Sequence, residues 1–187
     1  MLVVGIDEVG RGCLAGPLVV GAVALNKQVE NLKDSKQLSR KQRESLSAII
    51  KQNAAYIGIG WSSVKEIDSL GLTKALSLAA TRALSSIKDT QIRYLLDGNF
   101  NYLIDAFSPV DLIVHGDSLV PQISAASIMA KVARDEFMIA LSDKYEPYGF
   151  NKNVGYGTKQ HLEAIRQYGP TDLHRRSFEP IKSILLS

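Results

Sequence analysis

The sequence predicts an α/β fold, a mixed sheet with helices on its faces and a small helical appendage at the C-terminal end. Two β-branched runs come first, and the glycine-rich stretch between them indicates a hairpin. Short apolar runs then alternate with helical patterns, the order typical of a sheet covered by helices. We therefore predict a main domain over residues 1–144 and a helical segment over residues 145–187.

The first half of the chain carries the signals of a hairpin, a helix, a strand and two further helices. The runs "LVVGID" and "PLVVGAVAL" flank the hairpin connection "EVGRGCLAG". Helical spacing follows in "SRKQRESLSAIIKQN", with Ser39 and Gln42 at the positions of a capping box. The alternation of "AAYIGIGW" predicts a strand, "SSVKEIDSLG" a short helix closed by Gly71, and "LTKALSLAATRALSSIK" an amphipathic helix.

The second half continues the alternation and ends in helical patterns. The apolar runs of "IRYLLDGN" and "VDLIVHGD" predict strands. The longest helical pattern is "PQISAASIMAKVARDEFMIALSDKY", with Pro121 suited to the first turn. We predict a loop over "EPYGFNKNVGYG", a helix from about Thr158 to Tyr168, and partly helical structure in "TDLHRRSFEPIKSILLS".

Composition places the chain among ordinary globular proteins, with 45% hydrophobic and 22% charged residues. A single cysteine, Cys13, excludes an internal disulfide bond and suits a reducing compartment, where we expect it to be a buried thiol. We find no apolar run long enough to span a bilayer and no basic leader before an apolar core. We therefore expect a cytoplasmic protein with no membrane partner.

The formal net charge of +3 lies entirely in the C-terminal part of the sequence. From Lys144 onwards there are seven Lys/Arg and four Asp/Glu residues. If four acids elsewhere bind metal ions, the remaining charge is 22 − 15 = +7, which favours a polyanionic partner. The alternative is a solvated basic surface.

Three predicted strands end in acidic residues, namely Asp7 with Glu8, Asp97 and Asp117. Strand ends are where ligands gather in open α/β sheets, and carboxylates that converge there repel one another. Divalent cations remove this repulsion, and ligation by oxygen alone favours Mg²⁺ or Mn²⁺ over zinc. The alternative for each acid taken singly is a surface turn, because Asp-Gly is a frequent turn pair.

The adjacent acids of the first strand raise a geometric question. Neighbouring residues of a regular strand point to opposite faces, so Asp7 and Glu8 both reach one site only if the strand ends or bulges there. Gly10 and Gly12 would allow such an exit. Otherwise Glu8 could contribute its backbone carbonyl.

Six stretches follow one another along the chain: "GIDEVGRGCLAGPLVVGAV", "DSKQLSRKQR", "LLDGN", "GDSLVPQISAASIMAKVARD", "GYGT" and "HRRSF". Together they resemble the type 2 ribonucleases H, specifically bacterial ribonuclease HII. The resemblance implies a ribonuclease H-like fold, a monomer, and cleavage of RNA in RNA–DNA hybrids and of duplex DNA on the 5′ side of an embedded ribonucleotide. It also implies that Asp7, Glu8, Asp97 and Asp117 bind two divalent ions, which activate water and stabilise the leaving 3′-oxygen. The products would carry 5′-phosphate and 3′-hydroxyl ends.

The resemblance also assigns residues to the substrate. The turn Gly10-Arg11-Gly12 would read the ribose 2′-hydroxyl, the group that distinguishes RNA from DNA, and Tyr156 would pack by the sugar at the junction. From the residues alone, Arg11 could equally be a surface cation and Tyr156 an ordinary loop aromatic.

A run of basic residues suggests phosphate contacts near the start of the first helix; it comprises Lys33, Lys36, Arg40, Lys41 and Arg43. Within the matching "DSK" motif we favour Ser35 and Lys36, and we interpret Lys41 and Arg43 as a solvated helix face. Weaker candidates for phosphate contacts in the C-terminal segment are Lys159, Arg175 and Arg176.

The remaining polar residues have plainer interpretations. The three histidines show no spacing typical of a metal site, so we expect packing or capping roles for His115, His161 and His174. His115 stands where the family pattern often has lysine, which puts any electrostatic role of that lysine in doubt. Asp135 is expected in an exposed ion pair. Two rival functions remain at this point, a DNA nuclease of the same general fold and a non-catalytic nucleic-acid-binding module.

Overall fold

The computed structural model describes residues 1–32, 35–88 and 91–186, without the side chain of Lys36. The described residues form one five-stranded sheet in the order β3-β2-β1-β4-β5. Its strands are β1 (Leu2–Val9), β2 (Leu18–Leu25), β3 (Ala54–Ser62), β4 (Ile92–Asp97) and β5 (Val110–Ile113). Strands β1, β2 and β3 pair antiparallel, whereas β4 is parallel to β1 and to β5. The predicted mixed sheet is confirmed.

The described part of the chain also contains eight α-helices. They are α1 (Arg40–Asn53), α2 (Val64–Leu70), α3 (Leu72–Leu84), α4 (Gly116–Leu119), α5 (Pro121–Ala140), α6 (Phe150–Asn153), α7 (Lys159–Tyr168) and α8 (Ile181–Leu186). The predicted capping box at the start of α1 is present, with Ser39 and Gln42 bonding each other's backbone N–H. Thr158 caps α7, and Pro121 opens α5.

The two faces of the sheet are covered by different helices. Helices α1 and α5 pack on one face, with a core that includes Val23, Ile50 and Ile128. Helices α2 and α3 pack on the other, against alternate β1 residues such as Val4 and Ile6. Alternation along β1 therefore decides which helices each side chain meets, and this places Asp7 on the α5 face and Glu8 on the α3 face.

Helix α5 lies unusually close to the sheet at Gly5 of β1 and Gly21 of β2. A Cβ atom at Gly5 would overlap the backbone of Gln122, and one at Gly21 would overlap the carbonyl of Ala126. This close approach brings the first half of α5, with Ser124 and Ser127, up to the C-terminal ends of β1 and β4.

The C-terminal segment and the connection between β1 and β2 form a second, smaller hydrophobic core. The core contains Tyr148, Phe150 and Ile165, together with Leu14 and Ala15. The prediction of a loop over residues 146–157 is wrong in part, because a 3₁₀ turn and α6 form there. The 3₁₀ turn (Glu146–Tyr148) ends at the left-handed Gly149, and α6 lies between Gly149 and the left-handed Val154. Each is a single turn and is too short to show helical periodicity. The longest predicted helix ends at Ala140 rather than Tyr145.

No helix among the described residues is both long enough and apolar enough to cross a membrane.

Candidate active site

Three aspartates meet at the C-terminal edge of the parallel strands. Ile6 of β1 lies opposite Leu96 of β4, so the next residues, Asp7 and Asp97, are neighbours across the sheet. Asp117 comes from α4, directly after β5. One carboxylate oxygen from each aspartate lies within 4.8 Å of the other two. The expected convergence of strand-end acids is thus found for these three residues.

The electrostatics of this cluster favour a bound cation. Burial first, and then the nearby charges of Glu8 and Asp97, raise the pKa of Asp7 to about 8, against hydrogen bonds from Ser127 and the Glu8 backbone. The Glu8 N–H donates to Asp7 Oδ1 at 2.8 Å, and the Asp117 N–H donates to Asp97 Oδ1 at 3.4 Å. A divalent cation with oxygen ligands would offset the repulsion that remains, so the residues present fit a hard metal ion.

Glu8 lies on the opposite face of β1 from Asp7. The strand runs on to Val9 with unbroken register against β2, so neither a bulge nor an early strand end turns Glu8 toward the cluster. Its carboxylate accepts hydrogen bonds from the Tyr102 hydroxyl at 3.1 Å and from Arg11 Nη1 at 3.4 Å. Burial raises the pKa of Glu8. Its role as a metal ligand stays a prediction.

Tyr102 is a site residue that sequence reasoning missed. It lies between β4 and β5 in a segment without regular structure, and its ring belongs to the core on the α3 face. Burial and then Glu8 raise its pKa well above the usual value, so the hydroxyl stays protonated and donates to Glu8. No periodic pattern in the sequence marks this position. Tyr102 meets Glu8 only because the segment between β4 and β5 passes close to the end of β1.

A cavity of about 200 Å³ opens beside Asp7 and Glu8. Its walls include the turn from Gly10 to Gly12, Ser35 and Tyr156. The structure therefore brings Tyr156, which is distant in sequence, together with the β1 acids and the turn that follows them. Gly10 has a φ of +93°, and a Cβ there would overlap the Arg134 side chain. A Cβ on Gly12, in contrast, would meet no other part of the described chain.

Ser35 connects the "DSK" motif to the acid cluster. Its hydroxyl is 2.9 Å from that of Ser127 in α5, and Ser127 in turn bonds Asp7. The backbone carbonyl of Ser35 accepts from Arg43 Nη1 at 3.0 Å. The side chain of Lys36 and the whole of Lys33 lie outside the described residues, so their predicted phosphate contacts stay predictions.

Two sequence interpretations near Ser35 are wrong. Arg43 is not part of a solvated face, because its largely buried guanidinium holds the carbonyls of Ser35 and Leu38 and lies 3.6 Å from Asp135. Asp135 pairs with cations as expected, but it is buried rather than exposed. It also accepts from Lys131 Nζ at 2.8 Å. Both errors have one cause: the 35–38 segment folds over α5 and covers the pair.

Tyr156 is 40% exposed and stands at the mouth of the cavity. Lys131 Nζ lies 5.4 Å from the centre of its ring. Burial and then the adjacent Cys13 raise the pKa of Tyr156 to about 12. Cys13 is fully buried, as expected.

The basic candidates of the C-terminal segment divide into two kinds. Arg175 is fully buried, and its guanidinium donates to the carbonyls of Gly16 at 3.0 Å and Arg11 at 3.1 Å. Its interpretation as a phosphate contact is therefore wrong. Lys159 and Arg176 are exposed, and their phosphate contacts stay predictions. His115 is exposed in a left-handed conformation at the start of α4.

Comparison with known proteins agrees with this geometry. The family described as Ribonuclease HII matches residues 4–181. The chain belongs to the ribonuclease HII family. It is 44% identical to ribonuclease HII of Burkholderia ambifaria over 98% of this chain and 85% of that protein. It is 43% identical to the Pelagibacter ubique ribonuclease HII over 98% of this chain and 99% of that protein.

Solved structures place the fold as well. The crystal structure of ribonuclease H2 from Pyrococcus horikoshii OT3 superposes with a TM-score of 0.81, at 29% identity, over 98% of this chain and 97% of that one. The crystal structure of Bst-RNase HIII in complex with Mn²⁺ superposes with a TM-score of 0.71 at 22% identity, over 100% of this chain and 70% of that one. Ribonuclease HII enzymes are metal-dependent endoribonucleases, and the aspartate cluster of this chain is consistent with metal catalysis.

Proposed function

We propose that this ribonuclease HII hydrolyses the RNA strand of RNA–DNA hybrids and nicks duplex DNA on the 5′ side of an embedded ribonucleotide, leaving 5′-phosphate and 3′-hydroxyl ends. The observation that carries the proposal is the aspartate cluster beside a cavity walled by the Gly10–Gly12 turn and Tyr156. An acidic metal site alone would serve many nucleases. The adjoining cavity supplies a reason for preferring RNA.

The proposed metal-binding residues are Asp7, Glu8, Asp97 and Asp117, with Mg²⁺ or Mn²⁺ as the ions. When bound, two such ions would lower the pKa of water and neutralise charge on the leaving 3′-oxygen. The chain's own groups prepare this site. Ser127 and the Glu8 N–H orient the Asp7 carboxylate, and the Tyr102 hydroxyl and Arg11 hold that of Glu8.

Substrate recognition would come from the other walls of the cavity. Gly12 has neither a left-handed φ nor a close neighbour, so the fold itself does not require glycine there. The open space would let a ribose approach the backbone, whose polar groups can bind a 2′-hydroxyl. Tyr156 offers a ring face to the sugar at the junction, and Ser35 with Lys36 would contact the backbone phosphate.

The C-terminal segment, residues 145–187, would act as a substrate-binding unit. It contains six basic and four acidic residues, and Lys159 and Arg176 are exposed there. Their contribution would be a sequence-independent attraction to phosphates that weakens with salt. We further propose that the protein acts as a monomer and in the cytoplasm.

A ladder of duplexes with zero, one or four ribonucleotides, assayed with Mg²⁺, with Mn²⁺ and with a chelator, tests the proposal. We expect metal-dependent cleavage only where ribonucleotides are present, with the nick mapped to the 5′ side of a single one. Equal cleavage of the all-DNA duplex would instead mean a DNA nuclease. Binding without turnover would mean a non-catalytic module.

A pair of matched variants assigns the activity to the cluster. Asp97→Asn removes one charge from the aspartate cluster and should abolish cleavage. Asp111→Asn is the control, because Asp111 lies on neighbouring β5, exposed and paired with Arg93 at 2.5 Å. Full activity of Asp97→Asn would contradict the proposed metal site.

A further inference from the structure

Two buried histidines in the C-terminal segment have no part in the chemistry proposed above. His161 of α7 and His174 are both fully buried, with their Nε2 atoms 3.0 Å apart. The rings of Tyr148 and Phe150 pack around them. A buried imidazole pair needs each ring nitrogen to be matched as donor or acceptor, so the hydrogen bonds at its two ends define its protonation.

The bonds at the two ends set one direction of donation. The Thr171 backbone N–H donates to His174 Nδ1 at 2.9 Å, so this nitrogen is an acceptor and the proton of His174 is on Nε2. His174 Nε2–H then donates to His161 Nε2. The proton of His161 is therefore on Nδ1, which lies 2.8 Å from the backbone carbonyl of Tyr156 and donates to it. Burial lowers the pKa of both histidines, which agrees with two neutral rings.

These hydrogen bonds, from Thr171 through His174 and His161 to Tyr156, form what we call the histidine relay. One end of the relay is Tyr156, a residue of the proposed ribose-reading cavity. The other end of the relay lies in the segment 171–175. This segment also forms hydrogen bonds with the connection between β1 and β2, which contains the Gly10–Gly12 turn. The Arg175 N–H donates to the Leu14 carbonyl at 2.9 Å, and the Gly16 N–H donates to the Leu173 carbonyl at 2.8 Å. Arg175 Nη1 donates to the carbonyl of Arg11 within the turn. One short segment thus contacts the turn directly and Tyr156 through the histidines.

We propose that His161 and His174 are positioning residues that hold Tyr156 at a set distance from the Gly10–Gly12 turn and so contribute to the preference for a ribonucleotide junction. The inference rests on the proposed function of Tyr156. The histidines themselves touch neither substrate nor metal ion. They act through the Tyr156 carbonyl, and this leaves the ring of Tyr156 free to face the cavity.

Substitutions at His161 separate the two ends of the relay. His161→Phe preserves an aromatic ring beside Tyr148 and Phe150 but removes both nitrogens. His161→Asn keeps an amide nitrogen at the position of Nδ1, so it can still donate to the Tyr156 carbonyl. The matched control is Tyr148→Phe, which removes the hydroxyl bond to the Gly169 carbonyl in the same aromatic cluster and leaves the relay intact.

The readout is the ratio of kcat/KM for a duplex with one ribonucleotide to kcat/KM for a uniform RNA–DNA hybrid. We expect His161→Phe to lower this ratio about fivefold to tenfold, the effect of one hydrogen bond, and His161→Asn to restore most of it. Tyr148→Phe should leave the ratio unchanged. A purely structural role would lower both kcat/KM values equally, and that result would overturn the proposal.

A double-variant cycle distinguishes failure of this inference from failure of the proposed function. Tyr156→Ala should lower the ratio, and adding His161→Phe to it should lower the ratio no further. If Tyr156→Ala leaves the ratio unchanged, the proposed function of Tyr156 fails. If only the histidine variants leave it unchanged, the inference alone fails.

A measurement on the unaltered protein avoids any loss of folding. The ¹⁵N chemical shifts of the ring nitrogens at neutral pH should show His174 protonated at Nε2 and His161 at Nδ1. The opposite tautomer at His161 would overturn the proposal, because Nδ1 could not then donate to Tyr156.

Discussion

Two groups of like charge lie largely buried near the glycine-rich turn, and they are stabilised in different ways. On one side lie the carboxylates of Asp7, Asp97 and Asp117. On the other lie the guanidinium groups of Arg134 and Arg175, both with no exposed surface. Burying an unpaired charge costs free energy, so the partners that offset this cost indicate the role of each group.

The arginine pair is compensated from within the chain. Arg134 donates to the carbonyls of Ala15, Pro17 and Val154 at 2.8–2.9 Å. Arg175 donates to two more carbonyls of the same connection, although its Nη2 has no hydrogen-bond partner among the described residues. Burial lowers the pKa of Arg175 to about 10, which leaves it charged at neutral pH. These cations tie the connection between β1 and β2 to α5 and to the C-terminal segment.

Among the carboxylates, Asp7 accepts hydrogen bonds from Ser127 and the Glu8 N–H, yet burial and the neighbouring Glu8 and Asp97 still raise its pKa to about 8. A divalent cation bound between the carboxylates would compensate this cluster further. We therefore interpret the two arginines as structural and the acids as the proposed metal ligands. This difference yields three predictions.

The largest expected effect is that of Asp7→Asn. It removes a buried charge, so cleavage should fall by at least about a hundredfold to a thousandfold while the metal-free fold becomes more stable. A folded-state pKa near 8 means that the folded protein holds a proton that the unfolded chain, with a pKa near 3.8, has released. The contribution of Asp7 to the stability of the metal-free wild type should therefore rise as the pH falls from about 8 to 4.

The measurement for Asp7→Asn is thermal unfolding without metal at several pH values, with cleavage assayed in parallel. The difference in stability between variant and wild type should shrink as the pH falls, because Asp7 is then neutral in both states. A variant less stable than the wild type at pH 8 would show that the cluster is compensated internally after all.

The next largest effect is that of Arg134→Lys, which keeps the charge but cannot reach three carbonyls. We expect a loss of about 3 kcal/mol in the free energy of unfolding, because buried groups are left unpaired. Urea unfolding with EDTA present measures the free energy of unfolding with no metal ion bound. Arg166→Lys on the exposed side of α7 is the control and should change stability by less than about 0.5 kcal/mol. An equally small change in Arg134→Lys would contradict the structural role.

The smallest effect is stabilisation of the native state by the cation alone. Mg²⁺ or Mn²⁺ at about ten times its dissociation constant should stabilise the fold by about 1.4 kcal/mol. Differential scanning calorimetry should show the rise in Tm for the wild type and for Asp111→Asn, and should show none for Asp117→Asn. An equal rise in all three would place the cation elsewhere.

Local patterns were enough to predict most of the fold and the acids of the site. The capping box at Ser39, the glycine that closes α2 and the apolar runs of the strands depend on residues a few positions apart, and each is found. Strand ends that finish in Asp also lie close in sequence to the apolar run that positions them. The three aspartates could therefore be expected at one edge once the strands were expected in one sheet.

Contacts between distant segments could not be predicted in this way. Arg43 has the same local surroundings as an exposed helical cation, and only the fold of residues 35–38 over α5 buries it against Asp135. Arg175 lies in a run of basic residues, yet its guanidinium reaches the carbonyls of Arg11 and Gly16. Tyr102 and the His161–His174 pair gain their partners from equally distant parts of the chain.

The sequence by itself determined the sheet, its covering helices, the family and the acidic residues at the strand ends, because hydrophobic periodicity and strand-end chemistry are local. The tertiary structure alone decided which charges are buried, which hydroxyl holds Glu8 and what anchors Tyr156. Those outcomes depend on burial and on hydrogen bonds between segments up to 164 residues apart, for which a linear pattern carries no signal.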